Sequence, residues 1–322
     1  MKTLSFLAFI LATLSFQCTK EAKSTDPLES EWKRYENNPV LRDSIATENY
    51  ESASDPHVFF DDDGQLRMIY SGDVNGVSSI KMATGTSWTN WKITDSLLTT
   101  PGPLGRDVAK ETSFYVKAPN GKHQIYYIGY PDDGTYKSEI YLAEADQIDG
   151  PYTQIAKPVV PRGNLAGHEV YLITSPTVNE HDGLLYMSFI GWDAFLDDVT
   201  EVWIIGATSS DNGHTWKDFK DVETRIGMEG QVTKGPDGTF YAVRTGEFEN
   251  REAIFISTAN HPFGPWTEEE KPILVKSGDS LEVDETIAPQ IIIDPQTNVK
   301  HLYYTGAHYA KGWWIMLATN EQ

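Results

Sequence analysis

The 322-residue chain has a single cysteine, Cys18, so no internal disulfide framework holds it together. It is poor in positive charge: 26 Lys and Arg stand against 47 Asp and Glu, a formal net charge of −21. No Lys/Arg cluster stands out, which argues against nucleic acid, because phosphate binding needs clustered basic residues. No helical apolar period of useful length interrupts the chain. The one long apolar run, Leu4 to Leu14, is too short to be a membrane span. With Lys2 before it and Cys18 after it, that run reads as an export signal over residues 1–18. Cys18 is then the candidate for lipidation, giving an exported lipoprotein, periplasmic or held on the outer membrane of a bacterium. The alternative is a general secretory signal with an incidental cysteine. Residues 19–31 are polar and read as a tether, which leaves residues 32–322 as one folded domain.

What the chain has instead is 9 Trp, 16 Tyr and 13 Phe, arranged in a repeat. A short β-run is followed by a turn, a Tyr-rich β-run and a glycine. The turns are Asp63-Gly64, Asn120-Gly121, Asp182-Gly183 and Asp237-Gly238, with Gln296 to Asn298 in the last copy. Such dipeptides favour tight hairpins because the turn needs positive φ. The closing glycines 72, 129, 191, 246 and 306 are spaced 57, 62, 55 and 60 residues apart. A third apolar run follows each, and in four copies an aromatic closes the unit: Trp91, Tyr152, Trp216 and Trp266. Units of about 60 residues with three or four antiparallel strands predict an all-β fold, a five-bladed β-propeller. The segment Trp32 to Leu41 is expected to supply a strand that closes the ring.

In a propeller, residues opening the first strand of each blade converge on the axis. Those positions are read as Asp55, Glu111, Ser175, Glu229 and Ala288. Three are carboxylates, and burying an unpaired charge is costly, so three in one ring suggest a site. The structural alternative is pairing with a buried Arg or Lys, or a bound cation. Paired carboxylates are the equipment of glycoside hydrolysis, and close carboxylates push their pKa values apart, which separates acid from base. Candidate substrate-binding residues near the same end are His57, Tyr70, Tyr130, Trp192, His308 and Trp313, which offer ring faces to a sugar, and Arg244, which could equally neutralise Glu229.

The chain resembles the five-bladed furanosidase superfamily, chiefly glycoside hydrolase families 43 and 32. The resemblance is carried by Asn38-Pro39-Val40-Leu41, Ser54-Asp55-Pro56-His57-Val58, Glu229-Gly230-Gln231-Val232 and Gly264-Pro265-Trp266, and spans roughly Trp32 to Asn320. It implies Asp55 as general base and Glu229 as general acid. The third-blade Asp that such enzymes use to tune the acid is Ser175 here, a departure. Glu111 is the candidate to adjust pKa or bind substrate, and Glu169, Asp193 and Glu285 are further acidic candidates on nearby loops. The implied activity is exo-acting, inverting hydrolysis of arabinosides or xylosides derived from plant or algal polysaccharides. No cofactor is required. Relatives that hold an ion on the channel axis make a structural calcium an option, and no ligand spacing here demands a metal. The alternatives are a non-catalytic surface glycan-binding lipoprotein, a glycoside phosphorylase, and a sialidase. The last is prompted by one Asp-box, Ser209-Ser210-Asp211-Asn212-Gly213-His214-Thr215-Trp216, which is a structural hairpin turn rather than a catalytic motif.

Overall fold

A computed structural model describes residues 31–45, 50–131, 135–195, 198–222 and 228–321. The export signal, Cys18 and most of the tether lie outside the described residues. The described chain is β-structure throughout. A short strand β1 (Lys33–Arg34) precedes the first blade, β2 (Glu51–Phe60), β3 (Leu66–Val74), β4 (Val77–Ser87) and β5 (Asn90–Leu98). The second blade is β6 (Ala109–Lys117), β7 (His123–Tyr130), β8 (Glu139–Ala145) and β9 (Thr153–Gln154). A small hairpin, β10 (Gly163–Leu165) and β11 (His168–Val170), leads to the third blade, β12 (Leu172–His181), β13 (Leu184–Trp192), β14 (Val202–Ser209) and β15 (Lys217–Asp221). The fourth is β16 (Met228–Lys234), β17 (Phe240–Phe248), β18 (Arg251–Ala259), β19 (Thr267–Glu268) and β20 (Leu274–Val275). The fifth is β21 (Glu285–Ile293), β22 (Lys300–His308) and β23 (Gly312–Thr319). Each blade is an antiparallel meander, as the repeat predicts. The hairpin glycines 64, 121, 183 and 238 all have φ between 78° and 86°, the region a side chain disfavours.

Apolar side chains fill every interface between successive blades. Tyr127 and Ile125 meet Ile69 and Met82 between the first two. Phe189 and Met187 meet Tyr126 and Leu142 between the second and third. Trp192 packs with Phe240 and Val232 next, and Ile254 and Val243 with Tyr304 and Trp314 after that. The fifth interface joins Tyr303 and Leu317 to Met68 and Tyr70, so the last blade packs on the first and the ring is closed.

Closure is also made by hydrogen bonds. Strand β1 pairs antiparallel with β23, Arg34 opposite Ala318, so the start of the domain forms the outer strand of its last blade. The Asn38 amide continues this, donating to the Leu317 carbonyl and accepting from its N–H, both at 2.9 Å. Arg34 grips Glu282 with two parallel bonds of 2.8 and 2.7 Å and also donates to the Val275 carbonyl. Glu282 is fully buried and accepts from the Tyr304 hydroxyl at 2.6 Å as well.

Each inner strand breaks its ladder once at the same level. The register skips between Ser54 and His57, Glu111 and Phe114, Thr174 and Thr177, Met228 and Gln231, and Ile287 and Gln290. The first residue of each bulge is Asp55, Thr112, Ser175, Glu229 and Ala288, with φ of 52°, 44°, 52°, 55° and 50°. None is glycine, so five residues sit in a region that costs about 1–3 kcal/mol each. The sequence reading of the ring is therefore corrected at one position: Thr112, not Glu111, is the second blade's equivalent. Glu111 stands one residue earlier, where the first blade has Ser54.

The Arg34–Glu282 grip ties the closing strand to a buried carboxylate. Removing the cation leaves that charge unpaired, so Arg34→Ala is expected to destabilise the fold by about 3 kcal/mol or more. The exposed neighbour change Lys33→Ala is expected to cost less than about 0.5 kcal/mol. Chemical denaturation of both variants checks this, and equal costs would contradict it.

Candidate active site

The bulges explain how carboxylates come to face one another in a protein interior. A positive φ in an inner strand turns the side chain out of the sheet alternation at the level where five strands crowd the axis. Asp55 is only 9% exposed there. The Ser54 hydroxyl donates to its Oδ2 at 2.9 Å, and its own N–H donates to Thr305 Oγ1 at 3.0 Å. The Ser71 hydroxyl, which accepts the Thr112 N–H at 3.1 Å, also supports the Asp55 carboxyl. Burial pushes Asp55 up, and the Ser71 and Ser54 hydroxyls pull it back.

Glu111 reaches the same place from one residue earlier. Its Oε1 accepts from the Tyr130 hydroxyl at 2.8 Å. Burial, then the charge of Asp55, push it up to about 7. Glu229 is raised as well. Burial raises it well above the carboxylate range, and Asp55, Glu285, Glu111 and Glu252 add to the rise in that order. Its Oε2 is buried without a hydrogen-bond partner. Glu285, at the start of β21, is 3% exposed and accepts from the Tyr309 hydroxyl. Burial lifts it to about 8.

Among the described residues no Lys, Arg or His forms an ion pair with Asp55, Glu111, Glu229 or Glu285. The basic groups nearby are committed elsewhere. Arg244 pairs with Glu268 and lies over Phe255 at 4.3 Å, so it does not neutralise Glu229. Lys276 pairs with Glu252 at 3.4 Å, and Lys81 with Asp43 at 2.5 Å. The ring also carries buried hydroxyls without a partner, Thr112 Oγ1 and Ser175 Oγ. Three of five axial positions thus hold a polar atom unsatisfied within the protein, the mark of a site awaiting a polar ligand. Among the described residues no three His, Cys, Asp or Glu side chains gather closely enough to hold a metal ion.

Two aromatic groups flank the ring. Tyr130 lies 5.8 Å from Tyr136, whose ring stacks on Phe195 at 4.7 Å and 3°. On the opposite blades Trp313 packs beside Ala288 and donates to the Tyr50 hydroxyl at 3.0 Å. Tyr309 lies 5.9 Å from Trp313 and is 39% exposed.

The structure brings together Asp55, Glu111, Glu229, Tyr130 and Trp313, and adds Glu285. It places others apart. His57 is buried below the ring, bonded to Gln231 at 2.9 Å and packed on Phe114 at 4.0 Å. It lines a cavity of about 430 Å³ formed by the far ends of the inner strands, and burial lowers it to about 4, so it is neutral. Tyr70 is fully buried between the fifth and first blades, its hydroxyl held by Asp43 at 3.0 Å. Trp192 is a core residue whose indole N–H donates to Thr174 at 3.0 Å, beside Ser175. His308 ends β22 with Nδ1 3.7 Å from Asp284. Asp193 pins its own loop by accepting the Thr200 N–H at 3.0 Å, and Glu169 stands on β11 opposite Asn164. The Asp-box is a turn: Asp211 accepts the Thr215 N–H at 3.0 Å, and the Trp216 indole donates to the Gly213 carbonyl at 3.0 Å. Sequence reasoning missed Thr112, Ser71, Tyr136 and Tyr309. Thr112 was within reach: matching Ser113 to Pro56, Pro176 and Pro289 gives the right register.

The model of the glycosyl hydrolases family 32 N-terminal domain matches residues 12–141. No curated protein matches the chain. Among solved structures, a thermostable family-43 glycoside hydrolase is similar at TM-score 0.62 and 16% identity, covering 83% of this chain and 88% of that one. An α-L-arabinofuranosidase from Podospora anserina, in complex with cellotriose, is similar at TM-score 0.64 and 15% identity, covering 90% and 96%. An N-acetylgalactosamine deacetylase from F. plautii is similar at TM-score 0.68 and 14% identity, covering 90% and 95%. The chain thus shares the fold of these solved structures, and its residues 12–141 are similar to the family 32 N-terminal domain.

The raised carboxyls have a cost that can be measured. Glu111 moves from the usual 4.5 to about 7 on folding. The folded state therefore holds a proton that the unfolded state releases, and stability falls as pH rises from about 4.5 to 7. Glu111→Gln is expected to remove that loss. Its stability relative to wild type should be better at about pH 8 than at about pH 4 by roughly 1–3 kcal/mol. Urea denaturation at the two pH values checks this, and a pH-independent difference would contradict it.

Proposed function

We propose that the chain is an exo-acting, inverting glycosidase of neutral sugars, with Glu229 as general acid and Asp55 as general base. The observation that carries this is the contrast between the two carboxyl environments. Burial raises Glu229, and the carboxylates Asp55, Glu285, Glu111 and Glu252 all add to the rise. Asp55 has two hydroxyls supporting its carboxyl. One group is thus kept protonated and the other is the readier to ionise, the division of labour that glycoside cleavage needs.

In this reading the Glu229 proton goes to the glycosidic oxygen as the bond from that oxygen to the anomeric carbon breaks. Asp55 takes a proton from a water whose oxygen bonds to the opposite face of the same carbon. The products are a free sugar of inverted configuration and the leaving alcohol. Solvent then returns a proton to Glu229 and removes one from Asp55. Glu111, held by Tyr130, takes the role of substrate binding and adjustment of the neighbouring carboxyl. The flanking Tyr, Trp and Phe rings suit stacking on sugar faces.

Arabinosides and xylosides from plant or algal polysaccharides are the proposed substrates, in keeping with the resemblance to family 43. A phosphorylase or a sialidase would need cations for phosphate or for the sialic carboxylate, and none faces the ring among the described residues. The buried, unpartnered Ser175 hydroxyl, standing where related enzymes have an acid, favours one second reading: a glycan-binding protein without turnover. Export and acylation at Cys18 belong to the same proposal and place the site where such glycans arrive.

On a panel of aryl arabinosides and xylosides, wild type is expected to release sugar first seen by NMR as the inverted anomer. Asp55→Asn and Glu229→Gln should each lower kcat by about 10²–10⁴-fold. Binding without release by wild type would support the second reading, and retained configuration would overturn inversion. Cys18→Ala is expected to move the protein from the detergent phase to the aqueous phase on partitioning of whole cells. An unchanged distribution would reject the anchor.

A further inference from the structure

The cavity at the end of the channel opposite the carboxyls has no part in the proposed reaction, and it is built as a ligand site is. All five inner strands form it: residues 57–60 of β2, 114–117 of β6, 178–180 of β12, 233–234 of β16 and 292–293 of β21. It therefore lies on the channel axis, past the bulges. His57 and Gln231, bonded at 2.9 Å, join β2 to β16 two residues beyond Asp55 and Glu229, and Gln231 also donates to the Pro56 carbonyl at 3.2 Å. This pair stands between the carboxyl ring and the cavity. The walls are mostly apolar and are held in place. Phe59 stacks on Tyr115 at 3.9 Å and 16°, and the Tyr115 hydroxyl is bonded to His123 at 2.8 Å. Phe114 packs on His57 at 4.0 Å. The volume of about 430 Å³ compares with the roughly 150 Å³ that takes one benzene ring.

The charges at the rim are matched. Lys117 pairs with Asp62 at 2.6 Å, and Lys234 lies 3.8 Å from Glu180, so these four groups cancel. Deeper in, His57 is neutral and committed to Gln231. One polar atom of the lining residues is left over: Thr233 Oγ1 is buried with no hydrogen-bond partner among the described residues. A buried hydroxyl in that state calls for a ligand atom to bond to it. We propose that this cavity is a second ligand site, for an uncharged hydroxylated aromatic compound of one or two rings, its rings against the aromatic wall and its hydroxyl on Thr233. An ionised ligand would leave water for an apolar cleft with no spare countercharge, which is costly. A sugar, with a hydroxyl on nearly every carbon, would leave most of them unpaired there. A flat apolar ring with one polar group meets the mostly apolar lining and its single orphan hydroxyl. Because the wall is already held by its own contacts, little ordering is needed on binding. The inference does not rest on the glycosidase reading.

Calorimetric titration with 2-naphthol tests this, beside 2-naphthoate, which has the same rings and a negative charge. The protein is expected to bind 2-naphthol saturably and at least about tenfold more tightly than 2-naphthoate. Thr233→Val, which keeps the size of the side chain and removes the hydroxyl, should weaken 2-naphthol binding by about fivefold. Thr233→Ser, which keeps the hydroxyl, should bind more tightly than Thr233→Val. Val116→Trp, which fills the cavity from a half-buried wall position, should abolish binding. Methyl NMR shifts on adding 2-naphthol should fall at Val116, Ile292 and Ile293, and not at Ile287, which packs with Ala288 at the carboxyl end. Absence of saturable binding, equal affinity for the two compounds, or shifts centred on Ile287 would overturn the proposal. Wild-type affinity in both Thr233→Val and Val116→Trp would overturn it as well.

Discussion

Everything at the axial end depends on one backbone constraint. At the level where the five inner strands come closest, each breaks its ladder and places one non-glycine residue at positive φ, from Asp55 to Ala288. This strain is affordable only in a ring whose interfaces are fully packed and whose last blade is completed by the first strand. The Arg34–Glu282–Tyr304 network and the Asn38 amide make that completion. The outer strands thus hold the inner ones at the spacing where their bulges face one another.

The bulges in turn set the electrostatics. Asp55 and Glu229 project from such positions, Glu111 from one residue before Thr112 and Glu285 from three residues before Ala288, and no described cation forms an ion pair with any of the four. Burial raises all four, nearby like charges add to the rise of Glu111, Glu229 and Glu285, and local hydroxyls distribute the effect. Asp55 has Ser54 and Ser71, Glu111 has Tyr130, Glu285 has Tyr309, and Glu229 has none among the described residues. Differences in proton affinity follow from which carboxyls have a hydroxyl partner. The arrangement lowers stability, as functional sites often do, and the fold offsets it with five apolar interfaces.

The propeller was legible because its signals are local. Asp-Gly and Asn-Gly turns, a following glycine and a closing aromatic recur in step with the blades, and each corresponds to a hairpin, a second strand and an outer strand. Asp55 and Glu229 were legible for the same reason. Thr112 was missed because the second blade has Glu-Thr-Ser-Phe where the first, third and fifth blades have proline after the bulge residue, and charge drew attention to Glu111 instead. The sides taken by His57 and Tyr70 follow from the channel direction and from sheet alternation past a bulge, which no short motif encodes. Glu285 and Tyr309 lie 24 residues apart and meet only because β22 returns the chain to the same end. Such pairing belongs to topology.

The central claim is that the axial carboxyls of Asp55 and Glu229 act on one glycosidic bond. A crystal structure of Glu229→Gln with an uncleaved xylo- or arabino-oligosaccharide tests it most directly. The account predicts a glycosidic oxygen within hydrogen-bond reach of the residue 229 amide, a water between Asp55 and the anomeric carbon, and carboxyl positions about 6.5–9.5 Å apart. A sugar seated in the cavity at the other end of the channel, beside His57, or reaching only one of the two residues, would contradict it.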